Sequence, residues 1–259
     1  MKILFIGDIV GKPGREAVVR LVPALRSASG IDFVIANAEN SSGGSGITPQ
    51  TAGELFDASV DVLTAGDHIW KRKEIFELIR FESKIIRPAN FPAGAPGHGF
   101  GVFRSASGIK VGVVNVLGRV FLEPLDCPFR AVRAAVEQIR KETNVILVDI
   151  HAEATSEKIA MGWYLDGDVS AVVGTHTHVQ TADERVLPKG TAYITDAGMA
   201  GPFDSVLGRR VEDVLERFLG CVPVRFEVAS DNVQMHGVIV DIDEKTGCAR
   251  SIERIQKRL

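Results

Sequence analysis

The 259-residue chain is 45% hydrophobic and 24% charged, ordinary values for a soluble globular protein, and it is long enough to bury a core without disulfide staples. A formal net charge of -3 leaves no electrostatic footprint for duplex nucleic acid, though it is compatible with a small nucleotide. The three cysteines, Cys127, Cys221 and Cys248, are widely spaced, and no run approaches a signal-peptide core or a membrane span, so reduced thiols and a cytoplasmic location are expected.

Residues 2–7 read as a buried strand. Pro13 then opens a helix with Ala17, Val18, Leu21, Val22 and Leu25 on one face. Pro23 lies inside that pattern and is expected to kink it. Strand 32–36, helix 49–58, strand 60–64 and helix 73–80 follow. Two β segments between 99 and 117 flank Ser107-Gly108, a hairpin signal. Next come helix 129–141, strand 145–149, helix 156–165 and strand 171–174. The last third reads mostly as strand, at 185–187, 192–195, 222–229, 233–242 and 248–255, with one helix near 210–219. An α/β first half thus passes into an antiparallel second half. With no linker, repeat or low-complexity stretch, residues 1–259 form one expected domain with two sheets.

Chemistry-bearing residues follow the apolar runs, and strand ends are where α/β proteins place their sites. Asp8 follows Ile3-Leu4-Phe5-Ile6, Glu39-Asn40 follows Phe33-Val34-Ile35, and Asp67-His68 follows Val62-Leu63. His151 follows Val145-Ile146-Leu147-Val148, and His176 and His178 follow Ala171-Val172-Val173. Each has a bland reading when taken alone. Asp8 fits a turn or cap, Ser41–Gly46 fits a solvated loop, and a single His at a strand end fits a hydrogen-bonded structural role. His-x-His is the stronger signal, because alternation puts both imidazoles on one side and neutral imidazole is the commonest metal ligand. Taken together, the strand ends read as the ligand shell of more than one metal ion.

Competing motifs fail on spacing. Gly7 to Lys12 has three residues between its glycines and Pro13 after the lysine, so it is not a P-loop. Glycines at 7, 11 and 14 do not make a dinucleotide fingerprint. His151-Ala152-Glu153 lacks the paired cysteines of zinc deaminases, and H-E-x-x-H is absent. Amidohydrolases use His-x-His after the first strand with a late aspartate, the reverse of the order here.

The order Asp, carboxylate–Asn, Gly-x-His, His, His-x-His resembles the calcineurin-like metallophosphoesterase superfamily, and more narrowly its YmdB-like family. The resemblance rests on Gly7-Asp8-Ile9-Val10-Gly11, Asn37-Ala38-Glu39-Asn40, Gly66-Asp67-His68-Ile69-Trp70, Arg87–Pro92, His151–Lys158, Gly174–Asp183 and Thr195–Met199, and covers nearly the whole chain. Most of the superfamily carries Asp-x-His in the first motif. This chain has Val10 there and Glu39 as the bridging carboxylate, as the YmdB-like family does.

The resemblance implies a four-layer α/β/β/α sandwich of two mixed sheets with a dinuclear centre. One metal would take Asp8, Glu39, Asn40 and His178; the other would take Glu39, Asp67, His151 and His176. His68 would be the proton donor, iron or manganese the metals, and a homo-oligomer the assembly. The implied activity is hydrolysis of phosphodiesters such as 2',3'- or 3',5'-cyclic nucleotides by a hydroxide bridging the ions, without membrane or duplex nucleic acid as partner. The chemistry is sound on its own terms. A phosphodiester resists hydroxide, and two cations about 3.5–4 Å apart orient the phosphate and offset developing charge. An imidazolium at His68 can protonate the leaving alkoxide, and the Gly43–Gly46 loop is free to approach a phosphate or ribose.

The family carries asparagine where this chain has Asp67. With two divalent ions, Asp8, Glu39 and hydroxide the formal charge is +1, and an ionised Asp67 brings it to zero. A carboxylate also cannot donate to a phosphate oxygen as an amide can. Asp67 therefore keeps a second reading open, a low-turnover protein that senses a nucleotide or RNA end through the same site.

Overall fold

The computed structural model describes residues 1–259. Strands β1 (Lys2–Ile6), β3 (Phe33–Asn37), β4 (Val62–Thr64) and β5 (Ile85–Ile86) pair in parallel. Helices α1 (Gly11–Ser29), α2 (Pro49–Asp57) and α3 (Ile75–Phe81) lie between them in sequence. Their apolar faces cover this sheet in one core that includes Leu4, Val18, Val34, Leu55 and Ile79. Strand β13 (Val233–Ile242) returns antiparallel to β1. On its other edge it carries β14 (Ala249–Arg258). The N-terminal end of β13 pairs with β12 (Met199–Pro202), which runs parallel to β2 (Asp8–Ile9). The result is an eight-stranded mixed sheet.

The second sheet has six strands. The hairpin β6 (Phe100–Arg104) and β7 (Lys110–Leu117) turns at Ser107-Gly108, where Gly108 has φ 86°. Strands β8 (Ile146–His151), β9 (Ala171–Thr175) and β11 (Ala192–Ile194) extend it in parallel, and β10 (Arg185–Val186) closes the far edge. Helices α4 (Pro128–Ile139) and α5 (Thr155–Tyr164) cover its outer face through Val132, Val136, Val148, Ile150 and Met161. The two sheets face one another across a third core, with Ile3, Phe5, Phe33 and Ile35 opposite Val111, Leu147 and Val173. Period-two alternation makes this possible: odd residues of β1, β3, β8 and β9 point between the sheets, and even residues point at the helices. Layer order is helix, sheet, sheet, helix.

Several expectations change. Residues 222–229 form no strand; Val228 makes only an isolated bridge to Arg209. Cys221 in the left-handed conformation ends α6 (Val211–Gly220), and Pro223 removes a backbone donor just beyond it. Strands β2, β5 and β12 fall outside the sequence reading. Met199-Ala200-Gly201-Pro202 has poor β propensity and is a strand because β2 and β13 flank it. The second half is not simply antiparallel, since β8, β9 and β11 continue a parallel sheet. Helix α1 begins two residues before Pro13 and runs through Pro23.

Candidate metal centre

The parallel strands of both sheets end at the same side of the molecule, which carries Asp8, Glu39, Asn40, Asp67, His68, His151, His176 and His178 to one place. Glu39, Asp67, His151 and His176 offer ligand atoms all within 4.8 Å of one another. His151 Nε2 lies 3.2 Å from Glu39 Oε1, 3.3 Å from Asp67 Oδ1 and 3.0 Å from His176 Nδ1. A Cβ at position 66 would overlap the Glu39 carboxylate and the His151 ring, so only glycine permits this approach. Beside this group, His178 Nε2 is 3.6 Å from Asp8 Oδ1. The Asn40 amide nitrogen lies 3.4 Å from Asp8 Oδ1, 3.2 Å from Glu39 Oε1 and 3.3 Å from His178 Nε2.

Other hydrogen bonds aim these side chains. His178 donates from Nδ1 to the Leu207 carbonyl (3.0 Å), leaving Nε2 free as a ligand atom. His176 turns Nε2 to Glu153 (3.2 Å) and presents Nδ1 to the site. His176 and His178 have φ of 103° and 64°, a costly backbone for residues with a Cβ. The strain is held by a buried ion pair, Lys158 Nζ to Asp196 Oδ2 at 2.7 Å. The same carboxylate oxygen accepts from the Thr177 amide (3.0 Å) and hydroxyl (2.8 Å).

Beneath the centre, inward-facing rungs near the ends of four strands form a polar plug. Asp149 accepts from Thr64 (2.5 Å), Thr175 (2.7 Å) and Asn37 (3.1 Å), while Thr175 Oγ1 is 2.9 Å from His151 Nδ1. Burial pushes the Asp149 carboxyl up to about 6, against the opposing pull of His151 and the two hydroxyls. Asn37, Thr64, Asp149, Thr175, Lys158 and Asp196 were given no role from sequence. The available signal was the interruption of apolar strands by single polar residues, as in Ile146-Leu147-Val148-Asp149-Ile150.

Electrostatics show what the arrangement demands. Buried carboxylates need a compensating charge. Burial would raise Glu39, yet the imidazoles of His151 and His68 hold it well below the usual carboxylate range. Burial would lower His151, yet Glu39, Asp67 and Asp8 raise it well above its usual value. A cation among these groups would supply the same compensation. The nitrogen and oxygen donor set, with no thiolate, suits a first-row divalent ion. The Asn40 amide nitrogen lies among Asp8, Glu39 and His178, and half a turn of the amide would offer them Oδ1 instead. The group of Glu39, Asp67, His151 and His176 fits a metal ion.

His68 stands at the rim. Its amide donates to Glu39 Oε2 (3.0 Å), Nδ1 is 2.7 Å from Asn40 Oδ1, and Nε2 is 3.5 Å from Asp67 Oδ2. Burial alone would lower its pKa; the hydrogen bond and charge of Glu39, with Asp67, outweigh it and raise it. The centre opens into a cavity of about 500 Å³ that is also lined by Leu207, Arg209, Val214, Phe218 and Phe226. The glycine loop is absent from that lining. Its Gly43 and Gly44 carbonyls accept from the Arg209 guanidinium, and Ser42 and Ser45 carbonyls accept from Arg72. No helix is long and apolar enough to cross a membrane.

Comparison with known proteins places this geometry. Residues 4–255 match the YmdB-like protein family. A Bacillus subtilis (strain 168) protein described as 2',3'-cyclic-nucleotide 2'-phosphodiesterase is 50% identical, with 98% of this chain and 96% of that protein aligned. A crystal structure of a hypothetical protein from Thermus thermophilus superposes with a TM-score of 0.94 at 41% identity, covering 100% of this chain and 99% of that one. A phosphatase from Mycoplasma pneumoniae superposes at 0.92 with 34% identity, over 100% and 93%. The calcineurin-like phosphoesterase YfkN from Bacillus subtilis, 11% identical at a TM-score of 0.58, shares the fold. The chain is a member of the YmdB-like protein family, whose relatives here are phosphoesterases.

Proposed function

We propose that this phosphoesterase hydrolyses phosphodiesters, cyclic nucleotides of the 2',3' or 3',5' type among them, at a dinuclear centre. The observation that carries the reading is the convergence of carboxylate, amide and imidazole donors from both sheets at one end of the molecule. Asp8, Glu39, Asn40 and His178 would hold one ion, and Glu39, Asp67, His151 and His176 the other, with iron or manganese as the metals that the family resemblance implies. When bound, the ions supply the Lewis acidity that activates water and offsets charge on the phosphate. Glu39 contributes two oxygens, one facing His151 and one held by the His68 amide, which suits a bridging position. His68 holds a proton at Nε2, at the rim and on the cavity side of Asp67, and delivers it to the leaving alkoxide. Thr175, through Asp149, fixes the His151 tautomer so that Nε2 faces inward.

The sheets share one core, which supports treating residues 1–259 as one domain. A homo-oligomer is supported by the outer face of α6, where Leu215 and Leu219 are exposed, and the mass in solution measures it. The test of function is turnover. Protein loaded with Mn²⁺ or Fe²⁺ should release many equivalents of product from a cyclic nucleotide and from bis(4-nitrophenyl) phosphate. Binding with product capped at one equivalent would instead establish the sensing role that Asp67 keeps open.

A further inference from the structure

The loop between β12 and α6 reaches the centre twice. The Leu207 carbonyl accepts from His178 Nδ1 at 3.0 Å. The chain turns there through Leu207 (φ 53°) and Gly208 (φ 88°) and sends the Arg209 side chain across to the glycine loop after Asn40. There the guanidinium donates to the Gly43 carbonyl (3.4 Å) and the Gly44 carbonyl. Gly44 has φ +83°, and a Cβ on it would overlap the guanidinium. The glycine loop is thus shaped around this arginine.

Arg209 is partly buried and lines the same cavity as Glu39, Asn40, His68 and His178. It makes no ion pair, whereas Arg15, Arg26, Arg133 and Arg254 all find carboxylates. A guanidinium has five N–H donors, and two carbonyls leave the others unspent and the charge unneutralised. Val214, Phe218 and Phe226 line the same cavity. A planar cation pinned at two nitrogens, partly buried and lining a cavity with Glu39, Asn40, His68 and His178, is built to receive an anion.

We infer that Arg209 binds the anionic phosphate of the substrate, with the glycine loop as the clamp that holds its guanidinium in place. This rests on the phosphodiesterase reading of the site. It gives the Ser41–Gly46 segment its purpose: the loop presents an arginine to the phosphate, and its own amides do not line the cavity.

The test uses the full chain loaded with Mn²⁺, with Arg209→Met and Arg209→Lys, a 2',3'-cyclic nucleotide as substrate, and inorganic phosphate as a calorimetric ligand. Charged hydrogen bonds of this kind are worth about 10- to 100-fold in binding. Arg209→Met should raise KM and the phosphate Kd by that range, with kcat reduced less and metal content unchanged. Millimolar guanidinium should restore part of the loss, and Arg209→Lys should lie between. A lowered Tm with unchanged KM and phosphate Kd would make Arg209 a structural strap and overturn the inference. Loss of metal in step with the rise in KM would overturn it too. Should Arg209→Met not fold, Arg209→Lys decides, since it keeps the charge and loses the fork: unchanged KM and Kd refute the inference. If the wild type turns over no phosphodiester, the hydrolase reading fails, and the phosphate titration still decides the role of Arg209.

Discussion

The ion pair of Lys158 and Asp196 offers the sharpest test of how the fold holds its site. Lys158 lies on α5, Asp196 follows β11, and both side chains are wholly buried at 2.7 Å. Asp196 also accepts from Thr177 twice and from the Gly198 amide at 2.9 Å. Lys158→Met preserves most of the volume but leaves a buried carboxylate with neutral partners only. Breaking a buried pair in this way costs about 3–5 kcal/mol. At roughly 2–4 °C per kcal/mol for a protein of this size, Tm should fall by about 6–20 °C. The Thr177 bonds weaken as Asp196 rearranges, so metal affinity should fall as well. Lys158→Met with Asp196→Asn should recover at least about 1 kcal/mol of the loss, because the isolated charge is gone. Recovery stays partial, since one amide oxygen cannot accept from Thr177 and Gly198 together. The assays are thermal and urea unfolding of the variants, with metal titration alongside. A loss below about 1 kcal/mol for Lys158→Met, or a double variant weaker than the single one, would refute the reasoning.

Three further outcomes are expected. His68→Ala should lower kcat about 10²–10⁴-fold with metal content retained, and less for an aryl leaving group than for a ribose alkoxide; equal losses on both substrates would remove the proton-donor role. Asp67→Asn removes one negative charge from among Glu39, His151 and His176 and adds a donor, and such donors are worth about 10²–10³-fold in kcat. Activity with divalent metals should rise, and an Asn variant that keeps its metals without becoming faster would show that Asp67 works as a ligand. His236, packed on Phe203 at 4.3 Å, is pushed down to about 4 by burial. Its folded-state pKa is below its unfolded value of about 6.5, so its contribution is fully present above 6.5 and is lost as pH falls toward 4. His236→Leu should flatten the fall in urea midpoint between about pH 6.5 and 4.5; an unchanged slope would place the acid sensitivity elsewhere.

Much of this molecule is legible in its sequence because hydrophobic periodicity and strand-end chemistry are local signals. The apolar runs ending in Asp8, Glu39, His151 and His176 mark parallel strands and the edge where their ends meet. Ser107-Gly108 marks a hairpin through the left-handed conformation that glycine adopts without cost. Other features are decided only by tertiary contact. Met199–Pro202 becomes a strand through its neighbours, while residues 222–229, with better β composition but no partner strand, do not. Asp149 and Lys158 look out of place in apolar segments until the sheets close. Then one caps the inter-sheet core beneath His151, and the other neutralises Asp196 behind the strained His176–His178 turn. Arg209 carries no local mark at all. Its position in the cavity of the metal-ligand cluster follows from a loop that crosses from β12 to the glycines after Asn40. Sequence patterning fixes which face each residue takes, because alternation is a property of one strand. Which charges meet at the centre is a property of the packed sheets, since those partners are far apart along the chain and meet only when the inter-sheet core is buried.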